Sequence, residues 1–143
     1  MRYIYPVNLT RDGDRRFVAT CRDVPEALTD GKSEQSALRH MSDALGAALA
    51  GYSLACRALP VPSKPRTGEI LVPVNALVAA KLALRSAMQS QGVSNVRLAE
   101  KLGVSESAVR RLVNPDHLSR LDGVVSALQV LGRRLVIEDQ VAA

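Results

Sequence analysis

Apolar and polar residues alternate along the first part of the chain, which is the pattern of a strand with one buried face. The apolar side of this pattern consists of Tyr3, Tyr5, Val7 and Leu9. The Asp-Gly pair in RDGD, residues 11–14, suits a hairpin turn with a positive φ, and RFVATC, residues 16–21, resumes a strand. Residues 2–9 and 16–21 are therefore predicted to form a β-hairpin, with Pro6 at an edge or a bulge.

Further along, the apolar residues recur at intervals of three and four, which is typical of a helix. DVPEALTDG, residues 23–31, is expected to contain a brief third strand that stops at Gly31. Ser33 is the candidate N-cap of a long helix predicted over residues 33–56, lying across the sheet. The apolar stripe of this helix consists of Leu38, Met41, Leu45, Leu49 and Tyr52.

The stretch that follows the helix is rich in proline. LPVPSKPRTG, residues 59–68, has no apolar period and is predicted to be a loop. EILVPV, residues 69–74, is predicted to be a last short strand at a sheet edge. The order strand, strand, strand, helix, strand indicates an α+β domain over residues 1–74.

Residues 75–143 show helical spacing through most of their length and are predicted to form a second, all-α module. Ser94 and Ser105 are candidate N-caps, and Gly92 and Gly103 are candidate stops. The predicted helices cover residues 75–91, 94–103, 105–114 and 119–131. The β-like LVIE near the C-terminus predicts a short strand over residues 134–138, which could pair with the same segment of a second chain.

The segment LAEKLGVSESAVRRLVN, residues 98–114, has the residues that a sharp corner between two helices requires. Ala99 is small enough to lie where the helices cross, and Gly103 tolerates the positive φ of the corner. Val109 and Leu112 are expected to point inward. The segment is therefore predicted to be a helix-turn-helix.

The outward face of this predicted motif suits DNA. Arginines bond bidentately to guanine edges or to phosphates, and serine and asparagine contact either. A glutamate such as Glu106 accepts from a cytosine amino group. The candidate DNA-binding residues are Asn95, Ser105, Glu106, Ser107, Arg110, Arg111 and Asn114. The alternative is a packed helical corner with ordinary solvated charges.

Composition and charge agree with a nucleic-acid partner without requiring one. The chain carries 19 basic and 14 acidic residues, and residues 1–60 hold 8 and 7 of these, so the excess lies in the second half. Cys21 and Cys56 match neither a metal-ligand spacing nor a disulfide framework, and no cofactor or metal is expected. Because no signal peptide or membrane-spanning run is evident, a cytoplasmic protein without membrane contact is expected.

Taken together, RYIYPVNLT, DVPEALTDG followed by the Ser33 helix, EILVPV and VSNVRLAEKLGVSESAVRRLVN resemble the HicB family of antitoxins. The resemblance is to the branch with a C-terminal helix-turn-helix similar to that of phage-type repressors. It implies a truncated ribonuclease H fold that covers a HicA toxin, which cleaves mRNA. It also implies a second module that binds operator DNA and represses the operon. Asn95 stands where the family often has glutamine, whose amide is longer by one methylene.

Partner surfaces follow from the same resemblance. A toxin that grips RNA presents a basic surface, and the acidic loops of the first module could occupy it. The candidate toxin-binding residues are Asp23, Pro25, Glu26 and Asp30. Solvated loop charges are the alternative for each carboxylate. A homodimer on a palindromic operator is expected, with a tetramer as the alternative, because one helix-turn-helix reads few bases.

Two other functions are weighed against the antitoxin. A two-metal nuclease needs carboxylates that project from rigid strands, and residues 2–9 contain none, so the chain is predicted not to be an enzyme. A stand-alone transcriptional repressor would use its N-terminal module as a sensor or for oligomerisation. Nothing in residues 1–74 resembles a cofactor-binding motif.

Overall fold

The computed structural model describes residues 1–142, and Ala143, the last residue of the predicted second module, lies outside the described residues. The elements are β1 Ile4–Arg11, β2 Phe17–Thr20, β3 Leu28–Gly31, α1 Glu34–Leu54, β4 Ile70–Pro73, α2 Ala76–Gln91, α3 Asn95–Leu102, α4 Glu106–Val113 and α5 Leu121–Val130. The fold is mixed α and β, with an N-terminal antiparallel sheet and five helices. The predicted order of elements is confirmed as far as α5.

The four strands form one sheet in the order β3-β2-β1-β4, with antiparallel neighbours. β1 pairs with β4 over residues 4–7 and with β2 over residues 8–11. Pro6 therefore lies in the half of β1 that pairs only with β4, and its missing N–H interrupts no ladder on the other side. The sequence predicted an edge or a bulge at Pro6, whereas β1 is an inner strand that is unpaired with β2 at this residue.

The hairpin between β1 and β2 turns where predicted, but the residue with positive φ is a different one. Arg15 has a φ of +61°, whereas Gly13 is not among the residues with positive φ. Asp12 Oδ1 accepts the backbone N–H groups of Asp14 and Arg16, each over 2.9 Å. The predicted positive φ at the Asp-Gly pair is wrong, because the Asp12 carboxylate organises a longer turn whose left-handed residue comes later.

Helix α1 covers one face of the sheet. Ser33 caps it in a reciprocal capping box with Ser36, as the sequence predicted for Ser33. A Cβ added at Gly31 would come within 2.5 Å of the backbone nitrogen of Ala37, so only glycine lets the end of β3 reach the first turn of α1. The first core consists of Tyr5, Val7, Ala19, Cys21, Val24, Ala27, Met41, Leu45, Leu49, Val72, Val74 and Leu82.

Helix α2 serves two cores. Its residue Leu82 belongs to the first core, while Ala80 and Leu84 belong to a second core. The second core consists of Ala80, Leu84, Ala87, Met88, Leu98, Ala99, Val109, Val113, Val124, Ala127, Leu128 and Leu131. Because one rigid helix is buried on both sides, the sheet and the later helices are packed together through α2.

The C-terminal segment departs from the prediction. Residues 134–138 have no regular secondary structure, so the predicted strand is wrong for the single chain. A strand needs a neighbour to complete its backbone hydrogen bonds, and the second core is built from helices. Leu135 instead packs against that core, and Arg2 Nη2 lies 3.3 Å from Glu138 Oε2. Helix α5 also starts at Leu121 rather than at residue 119.

No helix within residues 1–142 combines the length and the apolar character that crossing a bilayer requires.

Candidate functional site

The corner between α3 and α4 has the geometry that its sequence predicts. Residues 103–105 separate the two helices, and Gly103 adopts a left-handed φ of +68°. The backbone N–H of Val104 donates to the Ala99 carbonyl over 3.1 Å, which closes α3 sharply. Ala99 and Val109 are both buried in the second core. The chain therefore ends one helix and begins the next within three residues.

Serine residues cap both helices. Ser94 Oγ accepts from the backbone N–H of Arg97, and Ser105 Oγ accepts from that of Ala108, each over 3.1 Å. Each cap satisfies a donor that would otherwise lack a partner at the start of the helix. The Ser105 hydroxyl, a candidate DNA contact, therefore has a structural partner already. Val93, the residue before the Ser94 cap, packs against the same core as Leu98, the arrangement of a hydrophobic staple.

The structure brings four candidate DNA-binding residues together on the solvent side of α4. These residues are Glu106, Ser107, Arg110 and Arg111, and all four are exposed. Arg110 Nη2 lies 3.4 Å from Ser107 Oγ, so the two side chains share one face one turn apart. This face carries two positive charges near the C-terminal end of α4 and one negative charge at its start.

Besides Ser105, the two remaining candidates lie at the margins of that face. Asn114 is exposed just after α4, but its Oδ1 accepts the backbone N–H of Asp116 over 3.0 Å. Asn95 lies at the start of α3 and is half-buried. Each keeps part of its amide for a further contact, and neither belongs to the row on α4.

A buried lysine that sequence reasoning missed lies behind α4. The Lys81 side chain is 0% exposed, and its Nζ donates to the carbonyls of Arg111 over 3.1 Å and Asn114 over 2.9 Å. The His117 carbonyl and Ser119 Oγ also lie within hydrogen-bond distance of Nζ, so its three N–H groups are shared among four acceptors. Burial lowers the pKa of this ammonium. The available signal was that Lys81 is the single charged residue among the first nine of α2.

The candidate toxin-binding residue Asp23 is tied to the proline-rich loop. Its Oδ2 accepts the Ser63 N–H over 2.8 Å, and its Oδ1 accepts the Ser63 hydroxyl over 2.6 Å. Only 10% of its side chain is exposed. Arg22 reinforces the same loop by donating to the Lys64 carbonyl over 2.7 Å. Asp23 therefore anchors residues 59–68 to the sheet, which nothing in its sequence neighbourhood indicated.

Glu26 and Asp30 contact opposite parts of helix α1. Glu26 accepts the Tyr52 hydroxyl over 2.8 Å, whereas the backbone carbonyl of Asp30 bonds His40 Nδ1 over 2.9 Å. Tyr52 and His40 are twelve residues apart, which is about 18 Å along a helix. The acidic candidates therefore do not form one cluster: Asp30 belongs to the edge strand β3, and Glu26 precedes it. Pro25 is exposed next to Glu26.

Both carboxylates have partners that favour the ionised form. Backbone hydrogen bonding at Glu26 and the Tyr52 hydroxyl lower the pKa of the Glu26 carboxyl. The Arg16 guanidinium lowers the pKa of Asp30 through a direct hydrogen bond. Both groups are negatively charged at neutral pH and can face a basic partner.

A metal-dependent reaction has no support in the side-chain arrangement. Among residues 1–142, no three histidine, cysteine or acidic side chains are grouped so that they could hold a metal ion. Cys21 is buried and Cys56 exposed, and both are free thiols. The Asp12 carboxylate holds the hairpin turn, Asp23 holds the proline-rich loop, and Asp30 forms an ion pair with Arg16.

Comparison with known proteins identifies the family. Residues 4–83, more than half of the chain, match the family described as "HicB_like antitoxin of bacterial toxin-antitoxin system". Antitoxin HicB 2 of Photorhabdus laumondii subsp. laumondii is 36% identical over 131 residues, which cover 92% of each chain. Antitoxin HicB of Escherichia coli is 30% identical over 131 residues, covering 92% of this chain and 95% of that protein. Antitoxin HicB of Pseudomonas fluorescens is 34% identical over 124 residues, covering 86% of this chain and 85% of that protein.

These relatives are antitoxins, a non-enzymatic class, which confirms the prediction that the chain is not an enzyme. The chain belongs to the HicB-like antitoxin family of bacterial toxin–antitoxin systems.

Proposed function

We propose that this chain neutralises a HicA-type, mRNA-cleaving toxin and represses its own operon by binding operator DNA. In this proposal residues 1–74 form a toxin-binding module with a truncated ribonuclease H-like fold, and residues 75–143 form a DNA-binding module. The observation that carries the DNA-binding half is the exposed arginine face of α4, presented by a tight corner in a chain whose relatives are antitoxins.

The α3–α4 unit serves as a helix-turn-helix whose second helix enters the major groove. Arg110 and Arg111 carry the donors that read guanine edges or hold phosphates. Glu106 lies in the first turn of α4, where the helix dipole favours an anion, so its carboxylate is suited to a cytosine amino group rather than to a phosphate. Ser107 and Asn114 extend the same surface along the groove.

A second copy of the chain completes the DNA-binding unit. One short recognition helix reads few base pairs, and a two-fold dimer doubles the site on a palindromic operator. Val136 and Ile137 are 86% and 70% exposed in the irregular segment 134–138. Pairing of this segment with its counterpart would bury both side chains and complete its backbone hydrogen bonds.

The toxin lies along the β3 edge of the sheet. Pro25 and Glu26 are exposed there, and Leu28 is 63% exposed. Asp30 supplies a further charge, while Asp23 contributes by holding the loop of residues 59–68 in place. An apolar side chain flanked by ionised carboxylates suits a basic surface of the kind that grips RNA.

DNA binding is tested by replacing the two arginines of α4. The double variant Arg110→Ala, Arg111→Ala should bind operator about 10- to 100-fold more weakly for each guanine that these arginines read, measured by fluorescence anisotropy on the DNA upstream of the operon. Arg39→Ala removes the same charge from an exposed position on α1 and serves as the control. Retention of full operator affinity by the double variant would exclude α4 from the groove.

Toxin neutralisation is tested by co-expression with the product of the adjacent reading frame. Glu26→Lys should abolish growth rescue and copurification, because a like charge would face the basic toxin surface. Glu34→Lys reverses an exposed charge in the first turn of α1 and controls for net charge. Intact neutralisation by a folded Glu26→Lys variant would remove this edge from the toxin interface.

A further inference from the structure

The buried Lys81 ammonium is surrounded by four oxygen atoms that all lie between residues 111 and 119. Three are the carbonyls of Arg111, Asn114 and His117, and the fourth is Ser119 Oγ. None is a carboxylate, so this is no salt bridge. The cation instead gathers the end of α4 and the loop after it around one point on α2.

Helix α4 needs such a group because it ends differently from the two helices before it. Helices α2 and α3 end at Gly92 and Gly103, which adopt left-handed φ values of +65° and +68° and bring backbone N–H groups back to the last carbonyls. Asn114 follows α4 with a φ of −78° and an extended backbone, and Pro115 has no N–H. The Asn114 N–H still donates to the Arg110 carbonyl over 3.1 Å, and Lys81 Nζ supplies a donor for the next carbonyl, that of Arg111.

The position of the lysine connects α4 to the rest of the molecule. Lys81 adjoins Leu82, which lies in the first core, and is 0% exposed. Its ammonium cannot reach DNA, but it bonds the backbone of Arg111, whose side chain is exposed on the candidate DNA-binding face. A cation near a helix C-terminus is also favoured by the helix dipole.

We infer that Lys81 is a positioning residue for operator recognition: it sets the orientation of α4, and with it the arginine face, without touching DNA. This inference rests on the proposed DNA-binding function. Without the ammonium, the end of α4 and residues 114–119 lose their shared anchor, and the arginines no longer meet base edges in a fixed geometry. Contacts to phosphate tolerate such a displacement better than bidentate contacts to bases.

The experiment measures affinity of the full-length chain for operator and for an unrelated duplex across a range of salt concentrations. Lys81→Met keeps an unbranched chain that is shorter by one atom and removes the charge. Operator affinity should fall by about tenfold or more, while affinity for the unrelated duplex and the slope of log affinity against log salt stay unchanged, because the groups that bind phosphate remain in place. Lys32→Met removes an exposed lysine charge and should change neither affinity.

All measurements are made well below the unfolding midpoint of each variant, so that a purely stabilising role of Lys81 would leave operator affinity unchanged. That result in a folded Lys81→Met variant overturns the inference. A salt slope that falls by about one, with equal weakening on both duplexes, overturns it as well, because Lys81 would then bind phosphate.

A second variant decides the matter if Lys81→Met does not fold. Ser119→Ala removes one of the four oxygens, together with the hydrogen bond that its hydroxyl donates to the Arg111 carbonyl over 3.3 Å, and leaves three carbonyls around the ammonium. Its operator affinity should fall by about two- to fivefold with unchanged affinity for the unrelated duplex. Unchanged operator affinity of this variant overturns the inference. Failure of the unsubstituted chain to prefer operator would instead refute the proposed function.

Discussion

Arg85 Nε donates to Ser53 Oγ over 2.7 Å, which joins the end of α1 to the middle of α2. The same guanidinium reaches the carbonyl of Val113, the last residue of α4, over 3.3 Å. Ser53 is 4% exposed and Arg85 is half-buried, so this bridge lies largely out of solvent. The side chain of Arg85 thus bonds both the helix that covers the sheet and the helix that carries the arginine face.

Removing the Ser53 hydroxyl should loosen this connection. Ser53→Ala leaves the Arg85 guanidinium without its shortest hydrogen bond, and we expect the free energy of unfolding to fall by about 1–3 kcal/mol. Urea denaturation followed by circular dichroism measures the change. Ser126→Ala, whose exposed hydroxyl bonds only to a carbonyl of its own helix, should change stability by less than about 0.5 kcal/mol. Equal effects of the two substitutions would show that the Arg85 bridge contributes nothing.

Two glycines should respond in opposite directions to the same substitution. Gly103→Ala forces a side chain into a left-handed conformation, φ +68°, and should destabilise the chain by about 1–2 kcal/mol. Gly51 lies inside α1 with a helical φ and open space around its Cβ position, so Gly51→Ala should stabilise it by about 0.5–1 kcal/mol. Thermal unfolding of the two variants side by side tests the pair. A stabilised Gly103→Ala variant would contradict the role of this glycine at the corner.

The elements of this fold could be predicted from sequence where their signals are local. Ser33, Ser94 and Ser105 cap helices within three residues of themselves, and Gly103 ends α3 by its own φ. Such interactions depend on neighbours along the chain, so a pattern of a few letters contains them. The exposed row on α4 followed from the same periodicity, because residues that do not face the core must face solvent.

The remaining features depend on partners far along the chain. Asp23 and Ser63 are 40 residues apart, and Lys81 lies 33 residues from Asn114. Periodicity indicates which side of an element is buried, but it does not indicate which distant polar groups form hydrogen bonds with each other. The strand predicted over residues 134–138 failed for a related reason, since β-propensity describes a segment but a strand requires an edge to pair with.

Acid should weaken the first module through the pair formed by Arg22 and Glu69. The Arg22 hydrogen bond, followed by one from the Arg66 backbone, lowers the pKa of Glu69 from its ordinary value of 4.5. A carboxyl with a lowered folded-state pKa binds protons more tightly when unfolded, so its stabilising contribution is present above pH 4.5 and is lost as pH falls through the folded value. The free energy of unfolding, measured between pH 7 and about pH 3, should therefore fall less steeply for Glu69→Gln than for the unsubstituted chain.

The control for that experiment is Asp139→Asn, an exposed residue of the C-terminal segment. It should leave the steepness of the acid decline unchanged. If Glu69→Gln and Asp139→Asn both followed the unsubstituted chain, the Arg22–Glu69 pair would have no part in acid sensitivity.

The losses of stability caused by substituting Asp23 and Ser63 should be strongly non-additive. Asp23→Ala removes the acceptor for two donors of Ser63, and we expect a loss of about 1.5–3 kcal/mol because a charged acceptor is involved. Ser63→Ala removes only the hydroxyl and should cost about 0.5–1.5 kcal/mol. The double variant should be little less stable than Asp23→Ala alone, since the hydroxyl has no partner there once the carboxylate is removed.

Amide exchange of residues 59–68 should accelerate in both variants that lack Asp23, whereas Asp43→Ala, an exposed acid on α1, should leave it unchanged. Additive energies with unaltered exchange would mean that the loop is held by other contacts and that the Asp23 carboxylate is free to meet a partner.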